Sequence, residues 1–345
     1  MMKAAVLTGI EHLEIREFTK PSIEKSNEVL LKVDAVGVCG SDIHYYKTGR
    51  IGKQIINYPF TIGHEFVATV SEIGTKVTRV KPGDVVTVDP AISCGICDQC
   101  LQGRRHTCRN LKFMGNPGEH SGCLSEYVVL PEDRCYSLNK DFNTLEAVLV
   151  EPLAIANYAV KFIDKIDVGT VGILGTGPIG LSVQLNLRTI DVEKIYVTDK
   201  LDYRIEKAKD LGTVWGGNPD KVDIVSEVTK AEPLLLDVVF ECCGQQDAIN
   251  QAIRILKPGG HLIIVGIPEV DEISFNIHNL RRKEITIHNV RRQNECTNSA
   301  IDFIANNRDV SKLVTHKYNF NEIVEAFELV AGYKDGVIKA VILFN

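Results

Sequence analysis

Between residues 168 and 290 the chain alternates continuous apolar runs with helix-like polar segments. The apolar runs are TVGILG, KIYVTD, LDVVFECCG and HLIIVGIP, and the segments between them include LDYRIEKAKDLG and QQDAINQAIRILKPGG. Apolar strands separated by helices are typical of a parallel sheet covered on both faces. The sequence therefore predicts an α/β domain with a doubly wound parallel sheet in this part of the chain.

A glycine-rich turn follows the first of these apolar runs. Residues 175–180, GTGPIG, fit G-x-G-x-x-G; the helix-like LSVQLNL follows, and Asp199 comes 19 positions after Gly180 at the end of the next apolar run. Glycines at such a turn let the backbone approach a pyrophosphate, which the helix N-terminus binds. Asp199 is placed to bind the adenosine ribose and repel a 2′-phosphate, which predicts a Rossmann domain that prefers NAD to NADP. NADP remains an alternative cofactor, because the basic residues Lys200 and Arg204 lie near Asp199 in the sequence and could bind the extra phosphate.

Four of the ten cysteines are closely spaced. The spacing C-x2-C-x2-C-x7-C is formed by Cys94, Cys97, Cys100 and Cys108. Four thiolates this close can enclose one tetrahedral Zn²⁺ and leave no position for water. Four unrelated buried thiols are the alternative, but the spacing favours metal. The sequence therefore predicts a structural zinc in a lobe at about residues 90–112.

Residues 28–88 show a different pattern, with short apolar runs separated by turn signals. The runs are EVLLKVDAVGV, HEFVATVSEIG and DVVTV, and residues 81–84, KPGD, combine a proline and a glycine at the centre of a turn. This pattern predicts β structure in a small barrel or sandwich. The tail, with the amphipathic NEIVEAFELVAGYKDG and the final VIKAVILF, is predicted to return to this first domain.

A second set of metal-binding residue types lies outside the four-cysteine group. A catalytic zinc keeps about three protein ligands and leaves one position for water or substrate, so a mixed set of Cys, His and carboxylate is expected. Cys39, His64 and Glu65 supply such a set, and Glu151 opens the helix-like VEPLAIANYA. Each of these residues is ordinary by itself. Together with the zinc lobe and the dinucleotide motif, they predict an open metal site.

Several segments resemble the zinc-dependent medium-chain dehydrogenases of the alcohol dehydrogenase superfamily, and the resemblance runs over essentially the whole chain. VCGSDIHYYKTGRIG, IGHE at residues 62–65 and VEPLA at residues 150–154 resemble its polyol branch, the sorbitol, L-iditol and xylitol dehydrogenases. The resemblance implies a GroES-like β-rich catalytic domain at residues 1–155 and 293–345. It implies a Rossmann NAD-binding domain at residues 156–292. Animal sorbitol dehydrogenases usually lack the four-cysteine set, which is complete in this chain.

The resemblance also implies roles at the catalytic metal. Cys39, His64 and Glu65 would bind the zinc, and Glu151 would bind it directly or through its water; which carboxylate is inner-shell at rest stays open. Ser41 and His44 match the family's proton relay, with an ordinary surface histidine as the alternative for His44. The implied substrate contacts are Tyr45, Glu151, Arg292 and Gln293, of which Gln293 replaces a tyrosine typical of the animal enzymes.

The same resemblance assigns cofactor contacts on the Rossmann domain. Arg204 would lie against the adenine, and residues 265–267 and 290–292 would follow the nicotinamide half. The implied NAD-binding set is Gly175, Gly177, Pro178, Ile179, Gly180, Asp199, Arg204, Val265, Gly266, Ile267, Val290, Arg291 and Arg292.

The function implied by the resemblance is oxidation of a secondary hydroxyl of a polyol to a ketose. The enzyme would use NAD, with one catalytic and one structural zinc per subunit, in a homotetramer or homodimer. The alternatives on the same fold are a sugar-acid, phosphopolyol, L-threonine or simple alcohol dehydrogenase, because Arg50, Lys53 and Arg292 could bind an anionic substrate. An alternative of another class is a non-catalytic NAD- and zinc-binding sensor, which would not need a proton path.

Composition and hydropathy limit which partners and which cellular location are expected. The formal net charge of −6 and the isoelectric point near 5.9 argue against a surface that neutralises nucleic-acid phosphates. The apolar run before Glu11 is too short for a signal peptide, and no stretch approaches the roughly 20 apolar residues that span a bilayer. The sequence therefore predicts a cytoplasmic protein that binds neither nucleic acid nor a membrane.

Overall fold

A computed structural model describes residues 1–139, 141–190 and 192–344. The chain divides into two compact units, of which the first combines Met1–Glu151 with Asn294–Asn345 and the second is Pro152–Gln293. Among the described residues, no helix combines the length and the apolar character needed to cross a membrane.

Strands and α-helices both occur along the whole length of the chain. The strands are β1 (Met2–Gly9), β2 (His12–Phe18), β3 (Glu28–Gly37), β4 (Arg50–Ile51), β5 (Gln54–Ile55), β6 (Glu65–Ile73), β7 (Val85–Val88), β8 (Ala91–Ile92), β9 (Lys112–Phe113), β10 (Tyr127–Pro131), β11 (Cys135–Ser137), β12 (Thr170–Leu174), β13 (Lys194–Thr198), β14 (Trp215–Gly217), β15 (Leu236–Glu241), β16 (Leu256–Ile264), β17 (Thr286–Asn289), β18 (Val314–Asn319) and β19 (Lys339–Leu343). The α-helices are α1 (Gly40–Thr48), α2 (Asp98–Leu101), α3 (Thr144–Ala147), α4 (Val150–Val160), α5 (Pro178–Leu187), α6 (Asp202–Asp210), α7 (Ile224–Ala231), α8 (Gln246–Ile255), α9 (Ile277–Lys283), α10 (Thr297–Asn306) and α11 (Ile323–Ala331).

The first unit is built on a seven-stranded sheet. Six of its strands run in the order β11-β7-β6-β3-β19-β18, and β10 also pairs with β3. The pairs are antiparallel except for β18 with β19, which is parallel. The side chains of β3 are buried over most of its length, because the strand lies in the middle of the sheet. The predicted β-rich domain is present, and the strand β19 from the tail is one of its members.

Helix α1 interrupts the stretch that the sequence predicted as β structure. The expectation of strands and turns throughout residues 28–88 was wrong at Gly40–Thr48, which form this helix. Asp42 provides the reason, because its side chain accepts a hydrogen bond from the amide of Cys39, the residue that caps the helix N-terminus. The predicted turn at 81–84 is confirmed: Gly83 has φ 88°, and the amide of Asp84 donates to the carbonyl of Lys81 at 3.1 Å.

The second unit is a six-stranded parallel sheet. Its order is β14-β13-β12-β15-β16-β17, and every neighbouring pair is parallel. Every side chain of β15 is buried, as expected for a strand covered on both faces. Along the chain, β13 and β14 are added on one side of β12, and β15, β16 and β17 are then added on the other. The carboxyl ends of β12 and β15 are therefore the switch point at which sheets of this kind bind ligands.

Candidate functional site

Three of the predicted metal-binding residues lie together in the first unit. The ligand atoms of Cys39, His64 and Glu65 are all within 4.8 Å of one another. The pairing of β3 with β6 explains this proximity, because it sets Gly37 opposite Glu65, two residues before Cys39. Position 37 requires a glycine, because a Cβ there would lie only 2.7 Å from Oε2 of Glu65.

The side chain of Asp42 bridges the two chain segments that carry this cluster. Its Oδ2 accepts a hydrogen bond from the amide of Cys39 and its Oδ1 from the amide of Gly63, each at 3.0 Å. Nδ1 of His64 lies 3.6 Å from Oδ1 of Asp42. Burial raises the pKa of Asp42, and the nearby His64 opposes that rise. A carboxylate behind a metal-binding histidine fixes the ring's orientation. Asp42 escaped the sequence analysis, although its place three residues after Cys39 is a capping signal.

Lys339 is a second residue that the sequence analysis missed. Its side chain is 1% exposed, and its Nζ donates to Oε2 of Glu65 at 2.5 Å and to the carbonyl of Val38 at 3.1 Å. Burial lowers the pKa of Lys339, but Glu65 and Cys39 outweigh burial and the net shift is upward. The ammonium group is therefore charged and compensates the acidic groups around it. The available signal was a lone lysine inside the apolar run VIKAVILF.

The electrostatics of the cluster suit a bound cation. Burial and then the charge of Glu65 raise the pKa of the Cys39 thiol well above its usual value. Burial likewise raises the pKa of Glu151 to about 7, and Oε2 of Glu151 is buried without a hydrogen-bond partner in the described part of the chain. Glu151 lies outside the group of three ligands within 4.8 Å. A divalent ion would stabilise the thiolate and the carboxylates, so a thiol, an imidazole and buried carboxyl groups together fit Zn²⁺.

Helix α1 carries the residues predicted to move protons and contact substrate. The hydroxyl of Ser41 donates to Sγ of Cys39 at 3.3 Å. Ser41 and His44 are three residues apart on the helix, hence on the same face, and both are half-buried. Tyr45 is 2% exposed, and its hydroxyl lies 3.4 Å from Oε1 of Gln54. The helix thus places the hydroxyl of Ser41 beside Cys39, and it also carries His44 and Tyr45.

The four closely spaced cysteines also lie together in the first unit. Sγ of Cys97 is 3.6 Å from that of Cys100 and 3.9 Å from that of Cys108, and Cys108 is 3.5 Å from Cys94. Sulfur atoms placed tetrahedrally about 2.3 Å from a zinc ion are about 3.8 Å apart. The amides of Arg109 and Cys100 lower the pKa of Cys97 to about 6, which favours the thiolate. The lobe fits a closed, four-thiolate zinc site.

The glycine-rich turn of the second unit joins β12 to α5. Gly177 caps the N-terminus of α5, and Pro178 is in its first turn. A Cβ on Gly180 would lie 1.9 Å from the carbonyl oxygen of Gly175, so the turn accepts no side chain there. The turn therefore lies directly at a helix N-terminus, the arrangement that binds a pyrophosphate.

Asp199 follows β13 and is 9% exposed. Its Oδ2 accepts hydrogen bonds from the amide and hydroxyl of Thr176, at 2.8 and 3.2 Å, and its Oδ1 accepts from the amide of Leu201 at 2.9 Å. Nη1 of Arg204 is 3.9 Å from Oδ2 of Asp199 and would be 3.3 Å from a Cβ at Gly177. The carboxylate and the guanidinium therefore both border the glycine-rich turn.

The other predicted cofactor residues follow neighbouring strands of the same sheet. Residues 265–267 come directly after β16, and residues 290–292 come directly after β17. Glu241 ends β15; its side chain is buried and its Oε1 accepts hydrogen bonds from the amides of Cys243 and Gly244. The sequence analysis did not single out Glu241. Arg292 and Gln293 belong to the second unit, whereas the other predicted substrate contacts, Tyr45 and Glu151, belong to the first.

Comparison with known proteins gives consistent matches over the chain. The family model described as "Alcohol dehydrogenase GroES-like domain" matches residues 25–140, and the one described as "Zinc-binding dehydrogenase" matches residues 178–306. A sorbitol dehydrogenase of Bacillus subtilis (strain 168) is 32% identical, over 100% of this chain and 98% of the relative. A D-xylulose reductase of Saccharomyces cerevisiae is 32% identical, over 99% and 97%. The crystal structure of an Escherichia coli oxidoreductase/dehydrogenase of unknown specificity matches with a TM-score of 0.93 and 32% identity, over 100% of each chain.

Proposed function

Because the chain belongs to the zinc-dependent alcohol dehydrogenase family, we propose that it oxidises a secondary hydroxyl group of a polyol to a ketose with NAD as the acceptor. The predicted family and the predicted fold class, a GroES-like domain with a Rossmann domain, are confirmed. The chain is accordingly an oxidoreductase. We assign the catalytic domain to the unit that combines Met1–Glu151 with Asn294–Asn345, and the NAD-binding domain to Pro152–Gln293.

The observation that carries the proposal is the cluster of Cys39, His64 and Glu65 beside the hydroxyl of Ser41. These three side chains would hold the catalytic zinc, with Glu151 joining directly or through a water molecule. When bound, the zinc supplies Lewis acidity that lowers the pKa of an alcohol, and NAD supplies the acceptor for a hydride.

The chain's own residues move the proton and hold the metal ligands. Ser41 takes the proton of the substrate hydroxyl, and His44 passes it toward solvent from the next turn of α1. Asp42 keeps the His64 ring oriented through the 3.6 Å contact with Nδ1. Lys339 compensates the charge of Glu65. A sensor without catalysis would need none of these proton-bearing residues near the ligand Cys39.

The second unit supplies the cofactor contacts. The turn at residues 175–180 would bind the pyrophosphate at the N-terminus of α5. Asp199 would accept hydrogen bonds from the adenosine ribose and repel a 2′-phosphate, so NAD is preferred to NADP. Arg204 would lie against the adenine, and residues 265–267 and 290–292 would line the nicotinamide half.

Two considerations favour a polyol as the substrate. Two of the relatives at 32% identity are named sorbitol dehydrogenase and D-xylulose reductase. Beside the metal site, Tyr45 lies among polar groups, and a pocket built to bind several hydroxyls rejects an analogue that lacks them. We further propose that Tyr45, Glu151, Arg292 and Gln293 contact the polyol, and that the enzyme is a cytoplasmic homodimer or homotetramer.

A substrate screen with NAD and NADP side by side tests the proposed reaction. We expect NADH formation with sorbitol, xylitol or a close relative, and little with ethanol, because ethanol leaves the polar groups of the pocket unpaired. The panel should include aldonic acids, phosphorylated polyols and L-threonine. A clear preference for one of these would replace the polyol by that substrate, and tight NAD binding without any turnover would favour the sensor.

Removing one thiolate of the closed lobe should cost stability. With Cys97→Ala we expect zinc content to fall from two ions to one per chain and stability to fall by on the order of several kcal/mol, because a structural zinc contributes folding energy. The measurements are metal analysis and denaturant unfolding of the purified protein. The matched control is Cys135→Ala, since Cys135 is a buried thiol outside both clusters and should leave both zincs in place. Two zincs and unchanged stability in Cys97→Ala would contradict the assignment of the lobe.

A further inference from the structure

A polar cluster in the first unit connects Tyr45 with a carboxylate that the proposed function does not use. The hydroxyl of Tyr45 lies 3.4 Å from Oε1 of Gln54 and 3.5 Å from Oδ1 of Asn116. Both amide side chains also contact Glu119, on the segment that follows β9. Asn116 is only 7% exposed, and Tyr45 only 2%. The cluster is therefore built into the unit and is not a chance grouping of surface side chains.

Hydrogen bonds to Glu119 fix the direction of the whole cluster. An ionised carboxylate only accepts hydrogen bonds, whereas an amide has one donating and one accepting end. Oε1 of Glu119 accepts from Nε2 of Gln54 at 2.8 Å, and its Oε2 accepts from Nδ2 of Asn116 at 3.2 Å. The donating ends of both amides are thus turned toward Glu119. Their carbonyl oxygens consequently face the hydroxyl of Tyr45.

The same carboxylate is linked to the metal site through Phe113. Oε2 of Glu119 accepts a hydrogen bond from the amide of Phe113 at 2.7 Å. The Phe113 ring packs against the ring of His64, with the two centroids 5.2 Å apart. Tyr45 lies on helix α1, which begins directly after Cys39. The oriented amides therefore lie next to the place where a substrate bound at the metal would extend.

We propose that Glu119 is a positioning residue that turns this subsite into a set of hydrogen-bond acceptors and thereby selects neutral polyols over phosphorylated or carboxylate-bearing ones. The inference rests on the proposed function and deepens it. The hydroxyls of a neutral polyol can donate to the two carbonyl oxygens and to the Tyr45 oxygen. A phosphate or carboxylate at the same place has no proton to donate and meets the negative charge of Glu119.

The exposed cations Arg50 and Lys53 do not reverse this preference. Arg50 and Lys53, on the β4–β5 hairpin, are exposed, and Nη1 of Arg50 donates to the carbonyl of Gly52. Exposed charges are screened by salt over about 8–10 Å, whereas Glu119 acts on the half-buried Gln54 and the buried Asn116 by direct hydrogen bonds. The acceptor character of the cluster therefore outweighs these two cations.

Replacement of Glu119 by glutamine tests the proposal in the zinc-loaded, full-length enzyme. Glu119→Gln keeps the size of the side chain but removes the charge and lets it donate, so the two amides lose their fixed direction. We expect KM for sorbitol to rise about tenfold with little change in kcat, because two oriented hydrogen bonds made equally in the ground and transition states are lost. The ratio of kcat/KM for sorbitol 6-phosphate to that for sorbitol should rise at least tenfold. Turnover of 2-butanol, which has no further hydroxyl, should change less than twofold.

Two further variants separate specificity from folding. Glu132→Gln is the matched control, because Oε2 of Glu132 also accepts hydrogen bonds from two backbone amides, those of Thr78 and Arg79; it should change no substrate ratio. Gln54→Met removes one acceptor while Glu119 stays in place, and it should raise KM for sorbitol without favouring the phosphate. Zinc content and thermal unfolding are measured for each variant.

The outcomes distinguish this inference from the proposed function. Suppose that the wild-type enzyme oxidises sorbitol, but Glu119→Gln changes neither the kcat/KM ratio of sorbitol 6-phosphate to sorbitol nor that of 2-butanol to sorbitol. The role of Glu119 is then refuted and the polyol reaction stands. An equal loss of kcat with sorbitol and 2-butanol, together with lost zinc, would also refute it in favour of a purely structural role. A wild-type preference for sorbitol 6-phosphate would overturn the selection of neutral polyols. No turnover of any polyol by the wild-type enzyme would instead refute the proposed function.

Discussion

Replacing Cys39 by alanine is expected to lower kcat for the polyol by on the order of 1,000-fold or more. The Lewis acidity of a bound zinc supplies several kcal/mol of transition-state stabilisation, and each 1.4 kcal/mol corresponds to a tenfold change in rate. Loss of the thiolate leaves His64 and Glu65 as the remaining members of the cluster. NADH formation measures the rate, and metal analysis should show one zinc per chain instead of two. NAD binding, followed by calorimetry, should stay within about threefold of the wild type.

The control for this experiment is a buried cysteine outside both metal clusters. Cys135 lies on β11, and its thiol contacts the carbonyl of Pro131 at 3.8 Å, outside both metal clusters. Cys135→Ala should keep both zincs and most of the activity. Full turnover in Cys39→Ala with two zincs bound would show that the catalytic metal is held elsewhere. A loss of NAD binding in parallel with turnover would point to general unfolding and not to the metal.

Replacing Lys339 by methionine is expected to reduce the free energy of unfolding by about 3–5 kcal/mol. Methionine fills similar space but leaves the carboxylate of Glu65 buried without its cation, and an uncompensated buried charge costs this much. The carbonyl of Val38 loses its lysine donor as well. Urea unfolding of the metal-free protein, in which no zinc neutralises Glu65, followed by circular dichroism, measures the change. Zinc affinity should rise or stay level, because the ion then becomes the principal counter-charge of Glu65.

An exposed lysine on the neighbouring strand provides the comparison. Lys317 lies on β18, which pairs with β19, and it is exposed to solvent. Lys317→Met should change the free energy of unfolding by no more than about 0.5 kcal/mol, as surface substitutions usually do. If Lys339→Met were as mild as Lys317→Met, the ion pair with Glu65 would contribute little, and the charge balance inferred for the metal site would be wrong.

Local sequence patterns, such as apolar runs and the spacing of cysteines, predicted the architecture and the motifs. Continuous apolar runs between helices predicted the parallel sheet, because a strand covered on both faces buries nearly all of its side chains, as β15 does. The cysteine spacing from 94 to 108 predicted a cluster that the structure forms, since ligands so near in sequence are near in space whatever surrounds them. Helix α1 was missed because its apolar residues are few and its N-terminal cap depends on Asp42.

Residues that act through partners distant in the chain could not be predicted in the same way. Lys339 and Glu65 are 274 positions apart, and only the arrangement of β3 between β6 and β19 brings them together. Glu119 lies 65 positions from Gln54, with no periodic pattern to connect them. A single sequence shows which residue types are present, but the pairing of strands decides which of them meet. The motifs therefore predicted candidate ligand residues, whereas the residues that hydrogen-bond to or neutralise those candidates were found only in the structure.

The late place of β19 in the chain has a consequence for biosynthesis. This strand fills the gap between β3 and β18, and it belongs to a unit whose first 151 residues are made much earlier. The ribosome completes the continuous segment Pro152–Gln293 before it releases β19, so the second unit can fold while the first unit still lacks its C-terminal segment. Until Lys339 emerges, the nascent chain carries Glu65 without its buried counter-charge. The cluster of Cys39, His64 and Glu65 thus gains its buried counter-charge only late in synthesis.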